Sequence, residues 1–185
     1  MLAEPTPKYV AKRIAEFDSN PRYHGAESTV GLVFRQWPRN SVYEQVLAKV
    51  VVPNRLYSTN IYDPYTVAQH IIDIKIDERL TAGDLKLVND VADVTFADKH
   101  KTLLSFATKY CSWHQPGHYQ IYDGNVDWLL CAYRRKFAFA DFKRYELREY
   151  PRFHAIVDAL RDRFRLRAFN RKRIDKFLWF EATTQ

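Results

Sequence analysis

The chain has 185 residues, 46% of them hydrophobic and 15% aromatic, with a formal net charge of +7. That length and apolar content suffice for a buried core and exclude a disordered polyelectrolyte. No apolar run approaches the roughly 18 residues of a membrane span, MLAEPTPKYVAKRIAEF lacks a secretory apolar segment, and Cys111 and Cys131 alone make no disulfide framework, so a bacterial cytoplasmic protein is expected.

Residues 1–40 are expected to form an N-terminal helical cap, with a helix over Pro7–Phe17 and irregular packing around Pro21, Trp37 and Pro38; residues 41–185 are expected to form the main domain. Helical periodicity continues through Ser41–Val51, Pro64–Ile74, Ala82–Val94, Lys99–His114 and Gly124–Phe137. Asp63 precedes Pro64 as an N-cap with proline in the first turn. Further on, Phe153, Ile156, Val157, Leu160 and Phe164 make one apolar helix face, and RKRIDKFLWFEA closes the chain as a last helix. The strand-like stretches Lys49–Pro53 and Tyr119–Tyr122 are too short to anchor a sheet, and 5 glycines are too few for a fold of tight hairpins. The expected class is all-α. Two polar loops, Asn54–Pro64 and His114–Asn125, interrupt the helices, and such loops on a rigid scaffold are where function tends to sit.

Charge is one-sided. Arg134 to Lys176 holds 15 Lys and Arg against 6 Asp and Glu, a local +9 that leaves the remainder near −2. A block of this kind suits a polyanion, nucleic acid above all. A solvated Arg-rich helical surface has the same composition.

Lys109 lies in LLSFATKYCSW, among apolar and aromatic neighbours that strip hydration from an amine and favour its neutral, nucleophilic form. A lysine on a helix is more commonly a surface residue whose stem covers apolar neighbours. Asp123 opens the helix after the Pro116–Gly117 turn, where an aspartate is also an ordinary N-cap. Cys111, His114 and His118 give C-x2-H-x3-H, one ligand short of a structural zinc site, and neither a metal nor a cofactor is expected.

TLLSFATKYCSWHQPGHYQIYDGNVDWLL resembles the active-site region of the helix-hairpin-helix DNA glycosylase superfamily, 8-oxoguanine DNA glycosylase-like branch; LYSTNI and RKRIDKFLWFEA add to the likeness, which covers about residues 50–182. The resemblance implies a helical bundle of two closely packed lobes with the active site between them, acting as a monomer on double-stranded DNA in the nucleoid. It implies that the enzyme extrudes a damaged or modified base, an oxidised purine such as 8-oxoguanine, and cuts its glycosidic bond, with AP lyase activity. Lys109 would be the nucleophile and Asp123 the carboxylate that stabilises positive charge on the sugar. Trp113, Phe177 and Phe180 would supply the base pocket. Asn60 would fill the gap left in the duplex, while Arg171, Lys172 and Arg173 would contact phosphate. The family hairpin normally carries two glycines; the corresponding Ser105–Thr108 has none, so Ser105 and Thr108 would have to serve in their place. Excision of another modified base, such as a hypermodified phage base in defence, and a non-catalytic DNA-binding module remain open alternatives.

Overall fold

In the computed structural model, which describes residues 2–97 and 99–185, most of the chain is helical. In chain order the elements are α1 (Pro7–Ser19), α2 (Pro21–Gln36), α3 (Tyr43–Tyr57), α4 (Pro64–Asp73), α5 (Asp77–Ala82), α6 (Leu87–Ala92), β1 (Asp93–Phe96), β2 (Lys99–Thr102), α7 (Leu104–His114), α8 (Gly124–Phe137), a 3-10 helix (Arg144–Arg148), α9 (Tyr150–Arg163) and α10 (Arg171–Thr183). Side-chain caps start several of the helices. Thr6 accepts from the Tyr9 N–H, Asp63 from Tyr65 and Thr66, Asp123 from Asn125 and Val126, and Asn170 from Arg173. Proline occupies the first turn of α1 and of α4, where its missing N–H is no loss.

Two expected helices differ. The helical reading of Ala82–Val94 holds only at Ala82 and over Leu87–Ala92, and the first residues of Lys99–His114 are extended, because β1 and β2 pair antiparallel, Asp93 with Thr102 and Phe96 with Lys99. Val94, Thr95, Phe96 and Thr102 are β-branched or aromatic and favour that pleated surface. Conversely Lys49–Pro53, strand-like in sequence, lies inside α3, with Val46, Lys49, Val50 and Pro53 making its buried stripe.

The chain divides into two compact units, Met1–His24 with Gln120–Gln185, and Gly25–Tyr119. In the first, α10 packs on α1 and α8, and α9 on the 3-10 helix. Its core includes Val10, Ile14, Tyr133, Phe153, Val157, Leu160, Phe177 and Leu178. Buried Glu181 ties α10 to α1 by accepting from Tyr9 Oη at 2.8 Å and Arg13 Nε at 2.9 Å. In the second unit α3 packs on α4 and α7, and α6 on α7, around Val46, Val50, Val67, Ile71, Val88, Phe106 and Tyr110.

Gly83 ends α5 with φ +68, and an added Cβ would lie 2.8 Å from the His118 ring. Gly83→Ala is expected to destabilise by about 1–3 kcal/mol, combining left-handed strain with that clash. Thermal unfolding checks it: a loss near 1 kcal/mol would show that the ring moves aside and only the strain remains, and an unchanged Tm would overturn the prediction.

Candidate functional site

The second unit carries Lys109. Residues Phe106 to Ser112 of α7 are all buried, and Lys109 is 7% exposed, its Nζ donating to Ser105 Oγ one turn earlier at 2.7 Å. The amine is thus largely shielded from solvent, with a hydroxyl beside it. One turn on, Trp113 stacks against Tyr57 with centroids 6.4 Å apart and meets Phe34 at 6.2 Å. Gly31 lets the Trp113 ring approach α2, since a Cβ there would touch the ring at 3.4 Å. Thr108 has no exposed surface and donates to the Ser105 carbonyl at 3.1 Å. Ser105 and Thr108, expected to serve a phosphate in place of the family's hairpin glycines, lie in the first turns of α7, and the paired strands β1 and β2 lie upstream of them.

A second buried amine lies in the same unit. Lys49 has no exposed surface, and its Nζ donates to the carbonyls of Trp37 (3.0 Å) and Arg39 (2.7 Å) and to Asn40 Oδ1 (2.7 Å). Asn40 Oδ1 also receives the Tyr110 hydroxyl, and the Asn40 amide donates to Asp77. Burial brings the Lys49 ammonium down to about 8, opposed by Asp77; burial and Lys49 push the His114 imidazole down to about 3. Cys111 is buried, which raises its thiol, and His118 packs on Gly83. Among the described residues no group of His, Cys, Asp or Glu is arranged to hold a metal.

In the first unit Asp123 caps α8 through Oδ1, 3.0 Å from both the Asn125 and the Val126 N–H. The residues before it are pinned along their backbone. Tyr150 Oη accepts the Gln120 N–H at 2.7 Å and donates to the Gln120 carbonyl at 3.0 Å. Asp175 Oδ1 accepts the Ile121 N–H at 2.9 Å and the Gln120 side-chain amide. Tyr122 donates to Asp127 Oδ2 at 3.1 Å, and Arg144 holds the other Asp127 oxygen at 2.6 Å. Three elements therefore fix the approach to Asp123. Sequence reasoning missed Asp175, although an acid beside Ile174 and three residues before Leu178, on the apolar face of α10, was the available signal.

Asp175 is buried with Oδ2 unpartnered among the described residues. Burial raises its carboxyl to about 7, Lys172, Arg171 and the Ile121 N–H pull it down, and Asp123 pushes it up. The folded protein holds this proton more tightly than the unfolded chain does. Its stabilising effect is complete below the usual carboxylate range, about pH 4, and is lost as pH rises through about 7. Asp175→Asn keeps an oxygen for Ile121 and cannot ionise. Its stability relative to the natural protein is expected to improve by about 2–4 kcal/mol between pH 4 and pH 8. Urea unfolding at each pH checks this, and parallel pH profiles would overturn it.

The remaining predicted residues divide. Phe177 is fully buried, its ring edge-on to Tyr9 at 6.3 Å, so it presents no face to a base. Phe180 is half-buried beneath the Arg13 guanidinium, 4.3 Å from its ring centroid, and meets Phe17 and Tyr23. Arg171, expected to contact phosphate, is bound to Asp158 at 2.9 Å with a side chain 12% exposed. Lys172 is half-buried, and Arg173 is exposed beside Phe169. Asn60 is exposed with φ +59.

The units differ in charge. Residues 1–24 and 120–185 carry 19 Lys and Arg against 12 Asp and Glu, whereas residues 25–119 carry ten of each. The first unit thus accounts for the whole net charge. Among the described residues no helix is long and apolar enough to cross a membrane.

Residues 9–118 match the family HI_0787_N, described as an N-terminal domain. The chain belongs to this family. The HI_0787_N match takes in Lys49, Asn60 and Lys109 and stops before Asp123. A Haemophilus influenzae protein described as uncharacterized is 41% identical over 138 residues, which is 74% of this chain. The matched part spans 65% of that relative's length. No solved structure matches the chain.

Proposed function

We propose that the chain is a DNA glycosylase with associated lyase activity, acting as a monomer on double-stranded DNA and taking up an extruded base. The observation that carries this reading is Lys109, an amine 7% exposed within an apolar helix and hydrogen-bonded to Ser105. Attack on a sugar carbon requires a neutral amine as nucleophile, and the Ser105 hydroxyl beside Lys109 can take up its proton in passing. The 15 basic residues between Arg134 and Lys176 supply the electrostatic attraction to a polyanion.

In this reading the base leaves the stack, and Asp123 stabilises positive charge as the glycosidic bond lengthens. The Lys109 nitrogen bonds to C1′, while the departing base takes the bonding pair and a proton. Ring opening then gives an iminium, from which β-elimination breaks the strand. Duplexes carrying one 8-oxoguanine, another modified base or an abasic site, incubated with borohydride, test the proposal. A covalent protein–DNA complex on Lys109 is expected with at least one substrate. Binding without turnover or trapping on every substrate would leave a DNA-binding module; excision confined to another modified base would move the reading from repair towards defence.

A further inference from the structure

We propose that Tyr62 is a stacking platform for an unpaired DNA base, with Lys101 holding the adjoining phosphate. Tyr62 is 88% exposed, the greatest exposure among the exposed large hydrophobic residues described, and Tyr65 follows at 64%. A solitary exposed tyrosine needs no explanation. This one stands on a built loop. Asn54, in the last turn of α3, accepts the Ile61 N–H at 3.0 Å and the Thr59 hydroxyl at 2.9 Å, and donates to the Ile61 carbonyl at 2.8 Å. Ile61 is buried as the anchor. Ser58 and Asn60 take φ of 50 and 59, a left-handed conformation that residues with side chains rarely adopt. Such torsions persist where surrounding bonds over-determine them, and they gather at sites that present groups to a ligand.

The chemistry around the ring is that of a nucleotide. The Lys101 ammonium lies 5.6 Å from the Tyr62 centroid, on a strand whose four residues, Lys99 to Thr102, are all exposed. Among the described residues the neighbouring acids are already engaged: Asp63 accepts from Tyr65, Thr66 and the Thr66 hydroxyl, and Asp93 pairs with His100. An exposed aromatic ring with a cation over one face leaves its other face for a base and the cation for the adjoining phosphate, the pairing by which proteins hold unpaired strands. The inference rests on the DNA reading for the identity of the strand and extends it to a surface with no part in bond breaking.

The test uses the full chain and a duplex with one unpaired 2-aminopurine, whose fluorescence falls when it stacks. Tyr62→Phe is expected to bind within twofold of the natural protein. Tyr62→Ala and Tyr62→Leu are expected to bind about tenfold or more weakly with the quenching lost. Lys101→Ala should weaken binding and lower the salt slope by about one. Equal affinity of Tyr62→Ala, leucine performing as well as phenylalanine, or a Tyr62-dependent change in sedimentation without DNA would each overturn the inference. The assay needs no catalysis. Intact stacking with neither base excision nor borohydride trapping on any substrate would remove the glycosylase reading and leave Tyr62 in place; excision or trapping without Tyr62-dependent quenching would do the reverse.

Discussion

Replacing Lys49 with methionine is expected to destabilise the protein by about 3–5 kcal/mol, although the two side chains are close in length and the site is buried. The ammonium has three N–H groups, and all three are spent, on the carbonyls of Trp37 and Arg39 and on Asn40 Oδ1. Burial brings the group down to about 8, so at pH 7 it keeps the proton that its third hydrogen bond needs. Methionine leaves the two carbonyls without this donor, at roughly 1–3 kcal/mol for each buried unpaired group. Asn40 Oδ1 keeps the Tyr110 hydroxyl, so the loss is less than three full penalties. The residues between α2 and α3 are tied to α3 through these bonds, and their loosening should appear as faster hydrogen exchange around Arg39 and Asn40. Urea unfolding gives the magnitude. A loss below about 1 kcal/mol would mean that water replaces the ammonium, and that Lys49 is dispensable to the fold.

How far these features could be read in advance depended on the range of the interactions that make them. The bounds of α4 and α8 follow from local rules, an aspartate cap with proline or glycine after it and an apolar stripe behind. The same local logic marked Asp123 as a helix start. It failed at Asp93–Phe96 and Lys99–Thr102, where short amphipathic stretches fit a helix and a strand alike and cross-strand pairing decides. Lys49 and Asp175 were overlooked for a different reason. Each stands where the helical period puts a core residue, Lys49 among Val46, Val50 and Pro53, and Asp175 beside Ile174 and Leu178. A charge in such a stripe is a legible warning of a buried polar network. Its partners are not legible, because Trp37, Arg39 and Ile121 contribute backbone groups that no side-chain pattern announces. Arg171 shows the converse. In sequence it is one of three adjacent basic residues, and only the fold assigns it to Asp158.

The largest effect on activity is expected at Lys109 and Asp123, and conservative variants can separate chemistry from folding. Asp123→Asn retains an oxygen for the Asn125 and Val126 N–H groups, and asparagine caps helices about as well as aspartate, so stability should change by under about 0.5 kcal/mol. The negative charge is lost. If Asp123 stabilises the sugar cation, excision should slow by about 10²–10³-fold with DNA affinity little altered. Lys109→Gln removes the amine but can still bond to Ser105, and it should abolish the borohydride-trapped complex altogether. Lys49 supplies a built-in control, since an amine with no exposed surface and three engaged N–H groups cannot reach a sugar, and the trapped peptide should carry residue 109. Excision that survives Lys109→Gln but falls in Asp123→Asn would make water the attacking group and leave the lysine a binding role. Turnover and affinity falling in parallel in both variants would make these side chains DNA contacts, and the enzymatic reading would give way to that of a binding module.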